Sequence, residues 1–168
     1  MPKISLPKEV LSKESLSSLP SKEKSEYLSN ALKKILEMNP EGITSSQIRE
    51  ATGYTYSTVW HHLEMLSAME QCSKKQRGNV DIYFPNKIIM EIDEKIVNAK
   101  NNSALSLRIV ENIYGKYLNI CRETEGRIGG SSVVSGILIP DFMIKDFKSA
   151  VERAEKKFNS KSSKIDSD

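Results

Sequence analysis

Tyr56, Ser57, Thr58, Trp60 and His61 fall close together in the stretch from Ile43 to Leu66, ITSSQIREATGYTYSTVWHHLEML. Hydroxyl and imidazole groups exchange hydrogen bonds with base edges and phosphates, and an indole lies flat on sugar or thymine-methyl surface. A second cluster, Lys74, Lys75 and Arg77, flanks a Gly78-Asn79 turn in SKKQRGN. Cations at such a tip suit phosphates or a minor groove. His61-His62 invites a metal reading, but neighbours on a helix point about 100° apart, and no third ligand stands at a suitable spacing. No metal is expected, and His62 is expected to be buried or hydrogen-bonded where two helices meet.

These groups need a helix and a hairpin to present them. Ile48 and Ala51 form one apolar stripe; Val59, Leu63 and Leu66 form another. Gly53 can end the first helix in a left-handed conformation. Thr55 is placed to cap the second helix, and Thr44 or Ser45 the first. A preceding helix opens at Ser21 with the stripe Leu28, Ala31, Leu32, Ile35 and Leu36, and Asn39-Pro40-Glu41-Gly42 breaks it. After Glu70 the pattern turns to strands: Gln71 to Gln76, then Val80 to Phe84 with Val80, Ile82 and Phe84 alternating. Pro85 closes the second strand.

The order helix, helix, helix, hairpin is that of a winged helix-turn-helix. The run STVWHHLEML, Ser57 to Leu66, followed by QCSKKQRGNVDIYF, resembles winged helix-turn-helix regulators of the ArsR/MarR type. The resemblance spans roughly Tyr27 to Pro85. It implies that the helix carrying this run is a recognition helix and that the hairpin is a wing. The Cys-x-Cys box of metal-sensing ArsR members is absent, so metal-controlled release is not implied. The glycine that usually opens the first wing strand is also missing.

The chain has 168 residues and a formal charge of +3, which permits nucleic-acid binding without demanding it. Between Pro40 and Asn86 the bases Arg49, Lys74, Lys75 and Arg77 face Glu41, Glu50, Glu64, Glu70 and Asp81. So poor a phosphate-neutralising set predicts modest affinity for one copy, and hence a homodimer. No nucleophile stands with a base and an orienting partner, and Gly129-Gly130-Ser131-Ser132 lacks the lysine of a phosphate loop. Neither an enzyme nor a cofactor is expected. Cys72 and Cys121 have no metal-ligand spacing and read as ordinary thiols of a reduced compartment. No apolar run approaches the roughly 18 to 20 residues that span a bilayer, so a cytoplasmic protein without membrane contact is expected.

Residues 1–22, rich in Ser, Lys, Glu and Pro, read as a flexible tail whose lysines, among them Lys3, Lys8, Lys13 and Lys22, keep it solvated. Beyond the module at 23–86, Ile88/Ile89, Ile92, Ile96 and Ala99 repeat at four, suggesting a helix. Ser103 is placed to cap another, through Leu107, Val110, Tyr114, Tyr117 and Cys121, although Gly115 leaves a strand from Lys116 open. Glu125 to Ser132 reads as a loop and Val133 to Ile139 as a strand. A last helix begins near Pro140-Asp141. Its seam Ile144, Phe147, Val151, Ala154 and Phe158 alternates three and four apart, as expected of a helical dimer contact or of packing on the Ser103 helix. Residues 159–168 read as a second tail.

The expected fold class is therefore mainly α with a small β-hairpin wing (α+β): a winged helix-turn-helix followed by C-terminal dimerisation helices at 87–158, with room for a sensor pocket whose effector is unnamed. The expected function is sequence-specific binding of double-stranded DNA by a homodimeric transcriptional regulator. Its contacts would come from Thr55, Tyr56, Ser57, Thr58, Trp60, His61, Lys74, Lys75 and Arg77. The alternative is a winged-helix protein-interaction module, drawing on Tyr54, Tyr56 and Trp60, that makes no DNA contact.

Overall fold

The computed structural model of the chain describes residues 4–98, 100–125 and 131–162; Lys3, Ala99, Gly129, Gly130 and the stretch beyond Ser162 lie outside the described residues. A helical core is built from α1 (Lys13–Ser17), α2 (Ser21–Glu37), α3 (Ser45–Thr52) and α4 (Tyr56–Ala68). β1 (Cys72–Arg77) and β2 (Val80–Pro85) form an antiparallel hairpin beside it. Leu28, Leu32, Ile35 and Leu36 of α2 meet Ile48 of α3 and Val59, Leu63 and Leu66 of α4 in one buried cluster. Ile43 exchanges backbone hydrogen bonds of 2.9 Å with Tyr83, so the loop before α3 is stitched to the hairpin.

The hairpin's apolar alternation has the opposite phase to the one expected. Tyr83 is fully buried, whereas Val80 is half exposed and Ile82 and Phe84 are only partly covered. Tyr83 points between the helices. Ile82 and Phe84 crowd Gly42 on the other side, where a Cβ would stand 2.6 and 2.5 Å from them.

Residues 4–20, read above as a flexible tail, lie against the core instead. Leu16 is buried, and Ile4, Leu6, Val10 and Leu19 pack on the same cluster. Two tyrosines hold the strap at Leu11: its N–H donates to the Tyr27 hydroxyl at 2.7 Å, and the Tyr54 hydroxyl donates to its carbonyl at 2.7 Å. Asn39 secures Ser5 by two further bonds. Polar composition hid a segment that folds by docking rather than by periodicity.

The C-terminal half overturns the expectation of a mainly α protein. Residues 87–140 form a four-stranded antiparallel sheet in the order β3 (Lys87–Asn98), β4 (Ser103–Asn112), β5 (Gly115–Glu125) and β6 (Ser131–Pro140). The chain is thus α+β with two sheets, and the helices expected from Ile88 and from Ser103 are strands. Gly115, at φ +134, lies at the tight β4–β5 turn that the helical reading crossed. A 3-10 turn (Asp141–Met143) then leads into α5 (Ile144–Ser162), a helix as expected, but one that runs four residues into the stretch 159–168 read above as a tail. Register shifts interrupt β3 between Ile88 and Met90 and between Ile92 and Ile96.

The sheet's inner face meets the end of α4. Glu70 adopts a left-handed φ of 57, turning the chain from α4 into the hairpin. There the Gln71 amide approaches the Cys121 sulfur at 3.6 Å. Gly136 comes so close that a Cβ would stand 2.5 Å from the Met69 carbonyl oxygen, a backbone atom that cannot rotate away. Gly136→Ala is expected to destabilise the protein by about 1–3 kcal/mol through overpacking. A urea midpoint equal to the parent's would show that the two halves do not meet at this point.

Candidate nucleic-acid interface

The local sequence fixes how α4 is presented. Thr44 and Gln47 form a reciprocal capping box at the start of α3, and Gly53 ends that helix with φ 73. Thr55 caps α4: its hydroxyl accepts from the Thr58 N–H at 3.4 Å and pairs with the Thr58 hydroxyl at 2.7 Å. These two hydroxyls are therefore committed to the helix start, with residual capacity for a ligand. Ser57 is exposed beside them.

Val59, His62, Leu63 and Leu66 form the buried face of α4. His62 sits against α2 with Nδ1 3.4 Å from the Ser29 hydroxyl, and burial lowers its pKa. It is the buried imidazole expected at a helix junction. His61 is exposed, with its ring edge-on to that of His62 at 5.7 Å. Tyr56 is 48% exposed and Trp60 43%, so neither is packed away against a neighbouring helix. Tyr54, by contrast, is 2% exposed and holds the N-terminal strap, so it drops out of any surface aromatic cluster.

A groove of about 160 Å³ runs between Tyr56 and Trp60, the start of α3 at Thr44, Ser45 and Ser46, and the hairpin tip at Asn79, Val80 and Asp81. The tip turns through Gly78 at φ 62, the first of two loop positions. The outer face of α4 and the wing tip therefore flank one concave surface. Asn79, Val80 and Asp81 were not expected there; they reach the groove because they form the hairpin tip.

The three wing cations divide. Lys74 lies 3.0 Å from both Glu64 carboxylate oxygens and 3.9 Å from Asp81, and the Tyr83 hydroxyl donates to Glu64 at 2.6 Å. Lys74 is thereby tied to α4 rather than offered to phosphate. Cross-strand pairing sets Lys75 opposite Ile82 and Arg77 opposite Val80, on the hairpin face away from Lys74 and Asp81, and both are exposed. The Tyr114 hydroxyl, at the β4–β5 turn, donates to the Lys74 carbonyl at 2.8 Å, bracing the wing from behind. Among the described residues, the C-terminal half leaves Tyr56 and Trp60 on the outer face of α4 exposed.

Burial raises the Glu64 pKa, but the hydrogen bonds from Tyr83 and Lys74 outweigh it and leave the carboxyl below its ordinary value. The bond network then stabilises the fold above the unfolded carboxyl pKa and is lost as pH falls through the lowered one. Burial raises the Cys72 thiol to about 12, which keeps it protonated and unreactive. Burial likewise raises Cys121.

Glu64→Gln is expected to cost about 1 kcal/mol near neutral pH, with the gap to the parent closing as the pH is lowered through the carboxyl range. Urea unfolding at a series of pH values measures both, and a gap that widens in acid would contradict the network. The chain matches no family model, and neither a curated protein nor a solved structure matches it.

Proposed function

We propose that the chain is a sequence-specific double-stranded DNA-binding transcriptional regulator acting as a homodimer, with α4 entering the major groove and the hairpin lying along the backbone. One observation carries the reading: α4 buries its aliphatic face and turns Tyr56, Ser57, Trp60 and His61 outward beside the hairpin tip. The role is the one that the matching helix has in ArsR/MarR-type regulators. Ser57 and His61 would read base edges, Trp60 would lie on sugar or methyl surface, and Lys75 and Arg77 would meet phosphates. Lys74 would act indirectly, by fixing the angle between wing and helix through Glu64. Dimerisation would place two such helices about 34 Å apart on successive turns of a pseudo-palindrome.

The competing reading is a protein-interaction surface, favoured by the exposed Tyr56 and Trp60 and by the neutralised Lys74. Ionic strength separates the two, because phosphate binding must weaken steeply with salt and an aromatic protein contact need not. Gel retention of a pool of duplexes is expected to show that steep dependence. Arg77→Ala and Lys75→Ala should each weaken retention on all duplexes and lower the salt slope by about one. Ser57→Ala or His61→Ala should cost about 1–3 kcal/mol on the preferred duplex and little on others. Absence of retention at low salt, or retention indifferent to all four substitutions, would remove the DNA reading.

A further inference from the structure

The sheet of β3 to β6 buries Val110 and Cys121 on its inner face beside an unusual number of polar groups. Its inner face, against the helical module, carries Ser106, Arg108, Asn119 and Glu123, and the last of these is 2% exposed. Its outer face carries aliphatic residues in register across all four strands. Ile92, Leu107, Ile120 and Ile137 form one row; Met90, Ile109, Leu118 and Ile139 form the next. Directly paired residues share a face, so these rows make one continuous apolar surface. Met90 is 56% exposed and Ile137 52%, the central Leu107, Ile109, Leu118 and Ile120 are half-buried, and Ile139, beside the 3-10 turn, is buried.

The same chain exposes a second apolar surface of matching length. α5 leaves the sheet at the end of β6 and packs chiefly on the 3-10 turn that precedes it. Ile144 and Val151 are exposed, and Phe147 is half-buried. Nineteen residues make a rod of about 28 Å, and ten-residue strands are about 33 Å long.

We infer that the outer face of the β3–β6 sheet is covered by a second copy of this chain, each copy laying the Ile144–Phe147–Val151 side of its α5 across the other's sheet. The exchange is two-fold and self-complementary, so the apolar surfaces that the described residues leave exposed on both copies are covered at once. Four strands about 4.8 Å apart and about 33 Å long offer roughly 600 Å² per copy. Two such faces give about 1,200 Å², the size at which stable protein interfaces begin. Arg122, opposite Leu105 and Ser135, gives the face a polar margin.

This inference rests on the homodimer part of the proposed function and not on DNA. The full chain, free of nucleic acid, is expected to sediment at twice the single-chain mass. Ile137→Lys on the sheet and Val151→Lys on α5 should each return it to single-chain mass with an unchanged far-ultraviolet circular dichroism spectrum. Val151 is exposed and outside any core, so it keeps the test valid should Ile137→Lys fail to fold. A parent of single-chain mass, or a two-chain mass that survives Val151→Lys, overturns the inference. A dimer that retains no duplex would instead end the DNA reading and leave the interface standing, whereas a single-chain protein that retards duplex would end the interface and the homodimer part of the proposed function but not DNA binding.

Discussion

The burial of Val59, Leu63 and Leu66 against α2 and α3 fixes how α4 is turned, and the rest of the module follows from that rotation. Each of these side chains is at most 2% exposed. Aliphatic groups so buried contribute about 1.5–3 kcal/mol apiece, far more than any surface contact on the opposite side. The helix therefore cannot roll by one residue, about 100°, without exposing this stripe. Trp60 and His61 are consequently held outward by forces that have nothing to do with what they touch. Glu64, at the margin between the two faces, converts the same rotation into a position for the wing through Lys74 and Tyr83.

The sheet is organised around a buried carboxylate rather than around aliphatic packing on its inner side. Glu123 accepts hydrogen bonds from Ser106 at 2.8 Å, from Lys95 at 3.0 Å and from Arg108. These bonds and the Arg108 charge hold its carboxyl below the ordinary value although burial opposes them. Arg108 also reaches Glu91 on β3, at 3.3 Å, so one network ties three neighbouring strands. Such a network adds little net stability over an apolar packing, but it penalises any register that breaks it. The polar groups of this network face the helices, and the aliphatic rows face outward.

The module from Ser21 to Pro85 was legible in the sequence because each of its elements carries a local signature. Thr44 or Ser45, Gly53, Thr55 and the Gly78-Asn79 turn mark boundaries by their own chemistry, and the helical stripes have one apolar face each. The C-terminal half was misread because a spacing of four suits a helix and a strand alike. Ile88, Ile92 and Ile96 are four apart, and four is also an even number. In β4 and β5, apolar residues occur on both faces, so Leu107, Val110, Tyr117 and Cys121, on opposite sides of two strands, mimic a helical stripe together with Tyr114 of the turn between them. Of the interface, the outward residues of α4 could be read from the buried ones. The engagement of Lys74 could not, since it depends on Tyr83 and Glu64 meeting across the fold.

The two register shifts in β3 bear on how this protein avoids sticking to itself in the wrong way. β3 is a terminal strand of its sheet, and an unbroken terminal strand offers a ladder of unpaired amides to any other extended chain. Shifts of register on both sides of Ile92 break that ladder into short pieces. Open-ended fibril growth, strand upon strand, is thereby disfavoured at the margin where so aliphatic a sequence would otherwise invite it.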